Sequence, residues 1–205
     1  MTHVDLSNYR KQTTPSVPQR FRAVLWFVLG LPVLRSSLVP FSGLRCWLLR
    51  AFGASVGQGV VIKPGVRVKD PNLLKIGDHS WIGEDCWIDN LGMVEIGSNV
   101  CVSQGAYFCT GNHDWSDRHF RLLVAGIRVE DGCWIGAKAI LCPGVSIHSH
   151  AIAAAGSVVT RDIPAWEIHG GNPATFRRVR PNLVERHGQY RPIRRSSADR
   201  LCEAG

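Results

Sequence analysis

Aliphatic residues recur every six positions through the middle of the chain. Fifteen such positions lie between Val56 and Val159, and thirteen of them are Ile, Val or Leu. A helix repeats its apolar face every 3.6 residues and a strand every second residue, so neither alone explains this period. Three short strands per turn of a parallel β-helix do explain it. The positions are Val56, Ile62, Val68, Ile76, Ile82, Ile88, Ile96, Val102, Phe108, Val129, Ile135, Leu141, Ile147, Ala153 and Val159.

The third residue after most of these positions indicates a tight corner. In twelve of the fifteen steps it is Gly, Asn, Asp or His, residue types that tolerate a positive φ angle. Extra residues follow every third step, after Val68, Ile88 and Phe108. Insertions at one corner predict a triangular prism, with coils at 56–75, 76–95, 96–128, 129–146 and 147–164 stacked roughly 4.8 Å apart.

Local motifs resemble those of a known family. Ile-Gly-x-x-x-Trp steps run from Ile76 to Trp81 and from Ile82 to Trp87, and Gly171-Asn172-Pro173-Ala174 follows the last coil. These features resemble the hexapeptide-repeat acyltransferases, in which the prism is a left-handed parallel β-helix. We therefore expect an all-β fold, a left-handed parallel β-helix of about five coils with an N-terminal helical extension.

Charge divides the chain into three parts. Residues 1–52, an arm with short helices, carry +6; the predicted acyltransferase prism, 53–174, carries −3; and a basic tail, 175–205, predicted to be partly disordered, carries +5. Because the basic residues lie in the flanks, a nucleic-acid-binding prism is not expected. An anionic ligand at one end, or a membrane surface, fits this distribution better.

Two apolar stretches, Ala23–Leu34 and Leu38–Leu49, predict short helices before the prism. Each is shorter than the roughly 20 residues that span a membrane, and Arg35 separates them. Two interpretations stay open: the helices cap the first coil, or they rest as basic, Trp-bearing helices on the inner face of a membrane. Seven Cys without paired spacing and no cleavable signal predict a cytoplasmic protein with reduced thiols.

The long break after Phe108 holds the candidate catalytic residue. It reads Asn112-His113-Asp114 and returns to the repeat only at Val129. Long loops on rigid scaffolds often carry function, and neutral imidazole can take a proton from a hydroxyl group near pH 7. The family also places its catalytic His in such a step, so we predict that His113 is the general base.

Three polar residues are candidates for binding the acceptor. Asp114 and Asp117 lie in the same loop and could orient His113 or bind sugar hydroxyl groups. Asn90 follows the matching strand of the preceding coil and could reach the acceptor.

The resemblance implies that acetyl-CoA lies along the prism between subunits of a homotrimer, with no metal. Its contacts would include Trp134 beside the cleft and Ala137, which offers a backbone N–H where several relatives have Ser. The other positions match family residues near the pantetheine arm or the phosphates; they are Ala155, Gly156, Thr160, Arg161 and Arg178.

The combined prediction is an acetyl-CoA-dependent O-acetyltransferase that acts directly, without an acyl-enzyme, on a sugar intermediate of surface polysaccharide biosynthesis. The motifs around His113 are most similar to the colanic-acid type. Two alternatives use the same fold. A γ-type carbonic anhydrase would need three His around zinc, for which His79 and His113 are candidates without a convincing third. A non-enzymatic scaffold, tethered to a membrane, is the other.

Overall fold

Short parallel strands build a three-sided coil in the computed structural model, which describes residues 6–9 and 16–181. The first face contains β1 (Ser55–Val56), β4 (Leu74–Ile76), β7 (Val94–Ile96), β12 (Ile127–Val129) and β15 (Ser146–Ile147). The third contains β3 (Arg67–Val68), β6 (Trp87–Asp89), β9 (Tyr107–Cys109), β14 (Ile140–Leu141) and β17 (Val158–Val159). The strands are parallel within each of these two faces.

The second face is longer because the coil continues past the five predicted turns. It contains β2 (Val61–Ile62), β5 (Trp81–Ile82), β8 (Cys101–Val102), β13 (Trp134–Ile135), β16 (Ile152–Ala153), β18 (Glu167–Gly170) and β19 (Thr175–Val179). A parallel bridge between Ile147 and Ile163 and the parallel pair β16–β18 form part of a sixth turn. β19 then runs antiparallel to β18, so the first residues of the predicted tail form a strand. The remainder of that tail, 182–205, lies outside the described residues.

The six-residue period marks the core, as predicted. All fifteen repeat positions are buried and stack on one another through the register of the three faces. Ten of the twelve predicted corner residues adopt a positive φ angle. Gly111 and Asp162 do not, and Lys138, which the pattern left out, does.

The first N-terminal helix is longer than the sequence predicted. α1 (Val17–Leu25), a π-helical turn (Trp26–Gly30) and α2 (Leu31–Arg35) follow one another without a break. Pro32 comes just after the π-helical turn, which accommodates its missing N–H within the continuous helix. This 19-residue helix has a mean hydropathy of 1.2, which makes it long and apolar enough to cross a membrane by length and composition alone. The expectation that this stretch is too short was therefore wrong.

The second helix, α3 (Ser42–Ala51), closes the open end of the prism. Its Leu48 and Leu49 side chains are buried in the core, and Ser42 Oγ accepts a hydrogen bond from the Ile62 N–H of β2. Two 3₁₀ turns, Leu6–Asn8 and Pro71–Leu73, complete the helical elements of the described residues.

A buried arginine joins the two helices to the first coil. Arg45 is 1% exposed, and its guanidinium donates to the carbonyl oxygens of Leu34 at 3.2 Å, Ser36 at 2.8 Å and Ile62 at 3.4 Å, and also to that of Val39. These acceptors compensate the cost of burying the cation.

Candidate active site

The loop after Phe108 is a hairpin that stands on one edge of the prism. Its strands, β10 (Gly111–His113) and β11 (Leu122–Val124), pair antiparallel with His113 opposite Leu122. At its base the Ala125 N–H donates to the Thr110 carbonyl oxygen at 3.0 Å. The buried Thr110 hydroxyl also contacts the preceding coil through the backbone of Leu91, Gly92 and Asp89. The hairpin therefore has a fixed base.

A backbone carbonyl orients the His113 ring. Nδ1 lies 2.8 Å from the carbonyl oxygen of Phe120. A carbonyl can only accept, so Nδ1 carries the proton and Nε2 of the neutral ring keeps its lone pair. The Phe120 ring stacks on the imidazole with centroids 4.4 Å apart and an interplanar angle of 11°. Phe120 has a φ of +49°, a conformation that costs energy for this residue type and that clusters at functional sites.

Tyr9 contacts the same imidazole from the N-terminal arm. Its ring is edge-on to His113, with centroids 6.1 Å apart. Sequence reasoning missed both Tyr9 and Phe120. No local pattern marks either, because one contact depends on the path of the arm and the other on a backbone oxygen.

Asp114 and Asp117 hold the hairpin rather than the imidazole. Asp114 Oδ1 accepts from the Ser116 hydroxyl at 2.6 Å and from its N–H at 3.1 Å, which lowers the pKa of Asp114. Arg121 approaches Asp114 at 3.3 Å and Asp117 at 3.8 Å. Neither carboxylate bonds to His113. Both carboxylates are only partly buried and are therefore accessible from solvent.

Asn90 is part of the scaffold. Its side chain is fully buried and bonds to the backbone of Lys69, Asp70 and Leu73 in the preceding coil. Its amide oxygen accepts from backbone N–H groups and its amide nitrogen donates to backbone carbonyl oxygens, so neither atom is left to bind a ligand. The acceptor-binding role predicted for Asn90 therefore does not fit this structure.

Four of the predicted cofactor residues share a different edge of the prism. Ala137 and Ala155 occupy matching corners between the second and third faces, and the Gly156 N–H donates to the Ala137 carbonyl oxygen at 2.8 Å. The Ala137 N–H donates to none of the described residues. A Cβ on Gly136 would lie 2.4 Å from the Ala155 nitrogen, so only glycine fits there. Trp134 flanks this edge, with its Nε1–H donating to Ser103 Oγ at 2.8 Å.

The remaining cofactor residues stand apart. Thr160 and Arg161 are exposed at the corner after β17, two coils from the hairpin along the same edge. Arg178 is exposed on β19, with no polar side-chain contact in the described part of the chain. Its neighbours differ: Arg177 donates to the Gly170 carbonyl oxygen, and Arg180 donates to those of Gly132 and His150.

A single chain does not bring the His113 imidazole close to Trp134, Ala137, Ala155 and Gly156, which we call the Trp134 group. His113 lies on the edge between the third and first faces, whereas Trp134, Ala137, Ala155 and Gly156 lie at the edge between the second and third. Within residues 6–9 and 16–181, no group of three or more His, Cys, Asp or Glu is arranged to hold a metal ion.

Several of the cysteines that the structure describes are poor nucleophiles. Burial raises the pKa of Cys86 and of Cys133 to about 11, and it also raises the pKa of Cys142. Cys109, the nearest in sequence, donates its S–H to the Gly111 carbonyl oxygen at 3.1 Å. The raised pKa of the Cys86, Cys133 and Cys142 thiols makes them weak nucleophiles.

Comparisons with known proteins show the family of the chain. Residues 126–161 match a family model described as the hexapeptide repeat of succinyl-transferase. The chain is 35% identical over 171 residues to WcaF from Escherichia coli (strain K12), a protein assigned to colanic acid biosynthesis as an acetyltransferase. That alignment covers 80% of this chain and 94% of WcaF.

Solved structures share the fold. One is the hexapeptide-repeat-containing acetyltransferase VCA0836 of Vibrio cholerae O1 biovar eltor, complexed with acetyl coenzyme A. It superposes with a TM-score of 0.75 at 24% identity, over 84% of this chain and 94% of that one. Another is a galactoside acetyltransferase in complex with coenzyme A, with a TM-score of 0.71 at 23% identity, over 83% and 86% of the two chains.

Proposed function

Because the chain belongs to the hexapeptide-repeat acetyltransferase family, we propose that it moves an acetyl group from acetyl-CoA to a hydroxyl group of a sugar intermediate in surface polysaccharide biosynthesis. The similarity to WcaF supports this acceptor class, because WcaF is assigned to colanic acid biosynthesis. We place the reaction in the cytoplasm, in keeping with the free cysteines of the described chain.

The hydrogen bond from His113 Nδ1 to the Phe120 carbonyl oxygen is the observation that carries the mechanism. It leaves Nε2 as the base. In the proposed reaction Nε2 takes the proton of the acceptor hydroxyl group while the oxygen attacks the thioester carbonyl carbon. The tetrahedral intermediate collapses as the carbon–sulfur bond breaks, and the imidazolium returns the proton to the departing thiolate. The products are the acetyl ester and coenzyme A.

The negative oxygen of the intermediate needs a hydrogen-bond donor. The Ala137 N–H fits this task, because it is unused within the described chain and lies at the edge where the donor is proposed to bind. Alanine has no hydroxyl group, so the backbone alone would make this contact. The Gly156 and Ala155 positions leave room for a narrow pantetheine chain beside the backbone.

The positions of the two residue groups support a trimer as the working unit. His113 and the Trp134 group stand on different edges of one prism, so a site that uses both combines two copies of the chain. Cyclic symmetry with three copies would create three equivalent grooves. Exposed Arg178 and Arg161 are suited to the phosphate groups of the donor.

Release of free thiol from acetyl-CoA, measured against nucleotide-sugar and lipid-linked sugar acceptors, tests the proposal. The wild type should release thiol only with the correct acceptor, and His113→Gln should lower kcat by about 10²- to 10⁴-fold. His79→Asn, at a corner distant from the hairpin, serves as the control and should keep full activity. Equal rates for wild type and His113→Gln would remove the mechanism, and a non-enzymatic scaffold would release no thiol with any acceptor.

A further inference from the structure

The first N-terminal helix presents a broad apolar surface to solvent. Val17, Phe21, Val24 and Val28 recur at helical spacing and share one face of the helix. Only 17% of the most apolar 18-residue stretch of this helix is buried inside the protein. Phe27 is 69% exposed beside this stripe, and Leu38 in the following turn is 91% exposed. Isolated exposed apolar residues are normal, but a concentration of this kind marks a binding surface.

The second helix adds to the same region of the chain. Phe41, Leu44 and Trp47 are exposed, Trp47 by 60%, while Leu48 and Leu49 of the same helix point into the core. We call the exposed set the N-terminal apolar surface. It consists of Val17, Phe21, Val24, Phe27, Val28, Leu29, Leu38, Phe41, Leu44 and Trp47.

The segment that carries this surface has charged residues of one sign. No Asp or Glu occurs between Asp5 and Asp70, whereas that stretch contains ten Lys and Arg residues. Arg20, Arg22, Arg35 and Arg50 are exposed on or beside the helices. Exposed aromatic and aliphatic residues flanked by arginines are the composition of helices that lie in the interface of a membrane.

A groove next to the helix combines both properties. It has a volume of about 530 Å³, with Val24, Phe27 and Val28 on the helix side. Arg67 and Lys69 of the third face form part of the opposite side. Arg67 lies over the Trp87 ring at 4.6 Å, and Lys69 pairs with Asp89 at 2.7 Å. Asp89 also lines the groove and neutralises Lys69, which leaves Arg67 as the lining cation for the phosphate of a lipid, beside apolar side chains that suit its acyl chain.

The opposite face of the helix is attached to the prism. Trp26, Gly30 and Leu34 are buried along it, and Trp26 Nε1–H donates to the Val68 carbonyl oxygen at 2.9 Å. At its end the Arg35 carbonyl oxygen accepts from the Gly65 N–H at 3.0 Å. A helix packed against the charged coil along this length cannot be surrounded by lipid, so it is placed to lie on a bilayer rather than to cross it.

From these observations we propose that the N-terminal apolar surface docks the protein on the surface of an anionic lipid bilayer. A second copy of the chain is a poorer occupant, because pairing this surface with itself would bring cationic regions together. The proposal does not depend on acetyl transfer, and docking would bring the proposed active site close to acceptors held in the membrane.

Co-sedimentation of the full chain with lipid vesicles tests the docking. We expect binding to vesicles that contain phosphatidylglycerol, weaker binding to pure phosphatidylcholine, and loss of binding at high salt. Phe21→Ser together with Phe27→Ser should reduce binding by at least about tenfold, because two aromatic anchors are removed. Phe176→Ser removes an aromatic residue exposed elsewhere, on β19, and should bind like the wild type.

Further readouts separate docking from its alternatives. Thiol release with a water-soluble sugar acceptor should be the same in the double variant and the wild type, which also shows that the variant is folded. Unchanged vesicle binding by the double variant, or no binding of the wild type to anionic vesicles, would overturn the proposal. So would resistance of the membrane-bound protein to carbonate extraction, which indicates a spanning helix, or a change of oligomeric mass in the double variant, which indicates a second copy.

Discussion

The imidazole of His113 donates its Nδ1 proton to the carbonyl oxygen of Phe120 across 2.8 Å, and the two side-chain rings stack. One residue therefore supplies both the hydrogen-bond acceptor and the packing surface that fix the ring. Phe120 achieves this with a backbone conformation that phenylalanine seldom adopts.

This relationship predicts the tautomer of His113. In ¹⁵N-histidine NMR of the neutral ring, the His113 resonances should show Nδ1 protonated and Nε2 unprotonated. Neutral imidazoles in water favour the opposite tautomer, and a histidine without a fixing contact should follow them. Observation of the Nε2–H form for His113 in the wild type would contradict the assignment of Nε2 as the base.

The Tyr9 contact predicts that the N-terminal arm contributes to activity. Tyr9→Ala removes an edge-to-face ring pair worth about 0.5–1.5 kcal/mol, so kcat/KM should fall by roughly two- to tenfold. Tyr9→Phe keeps the ring and should keep most of the activity. Leu6→Ala, an exposed position on the same short segment, is the matched control. Equal rates for Tyr9→Ala and wild type would show that the ring contact has no part in turnover.

The separation of the two residue groups predicts complementation between inactive variants. His113→Ala lacks the base, and Ala155→Trp blocks the edge proposed for the donor. If each site takes one group from each of two neighbouring copies, random mixing in trimers leaves about one quarter of the sites intact. Co-expression should therefore restore about a quarter of wild-type activity, whereas either variant alone stays inactive. A mixture without activity would mean that each site lies within one chain.

Replacement of the buried Arg45 by an uncharged residue should cause a large loss of stability. Arg45→Met leaves buried carbonyl oxygens without donors, and the free energy of unfolding should fall by about 3 kcal/mol. Arg50→Met is a useful comparison, because Arg50 is exposed and donates to the carbonyl oxygens of Val56 and Gly57; its loss should cost about 1 kcal/mol. Urea unfolding followed by tryptophan fluorescence measures both. Similar losses in the two variants would show that burial adds nothing to the Arg45 contacts.

The charge ladder on the first face predicts a pH-dependent contribution to stability. Glu95 pairs with Lys75 at 2.9 Å and with Arg128 at 2.8 Å, joining three coils, and the hydrogen bond from Lys75 is the main cause of its lowered pKa. Since the folded-state pKa is below the unfolded value, the stabilisation is present above the unfolded pKa and disappears as the pH falls through the folded one. Glu95→Gln should therefore destabilise by about 0.5–1 kcal/mol near neutral pH.

The difference in stability between Glu95→Gln and the wild type should become smaller as the pH is lowered. Thermal unfolding at several pH values measures this. A difference in Tm that persists unchanged well below the pKa of Glu95 would indicate that the amide is disfavoured for reasons other than charge.

The coil was predictable because its physical causes repeat. Each buried position, such as Ile135, packs between equivalent positions of the coils above and below. The six-residue period can therefore be recognised in the sequence without knowledge of any contact. Corners follow the same logic, except at Gly111 and Asp162, which lack the expected positive φ, and at Lys138, whose positive φ goes against its residue type. The full length of the helix from Val17 to Arg35 was harder to predict. Its Pro32 reads as a break in sequence but is accommodated by the π-helical turn before it.

The site was predictable only in part. His113 was marked by the length of its insertion and by the family motif. Asn90 was assigned from its place in the repeat, yet burial turns its amide towards backbone, which a linear pattern does not reveal. The Phe120 carbonyl oxygen and the Tyr9 ring arise from three-dimensional closure, and residue types alone do not point to them.

The hydrogen bond between Ala125 and Thr110 closes the hairpin at its own base. The coil enters and leaves the insertion at almost the same point, so the rungs above and below keep their register whatever the hairpin's length. The hairpin formed by β10 and β11 can therefore change in length or sequence while the fold of the coil is preserved.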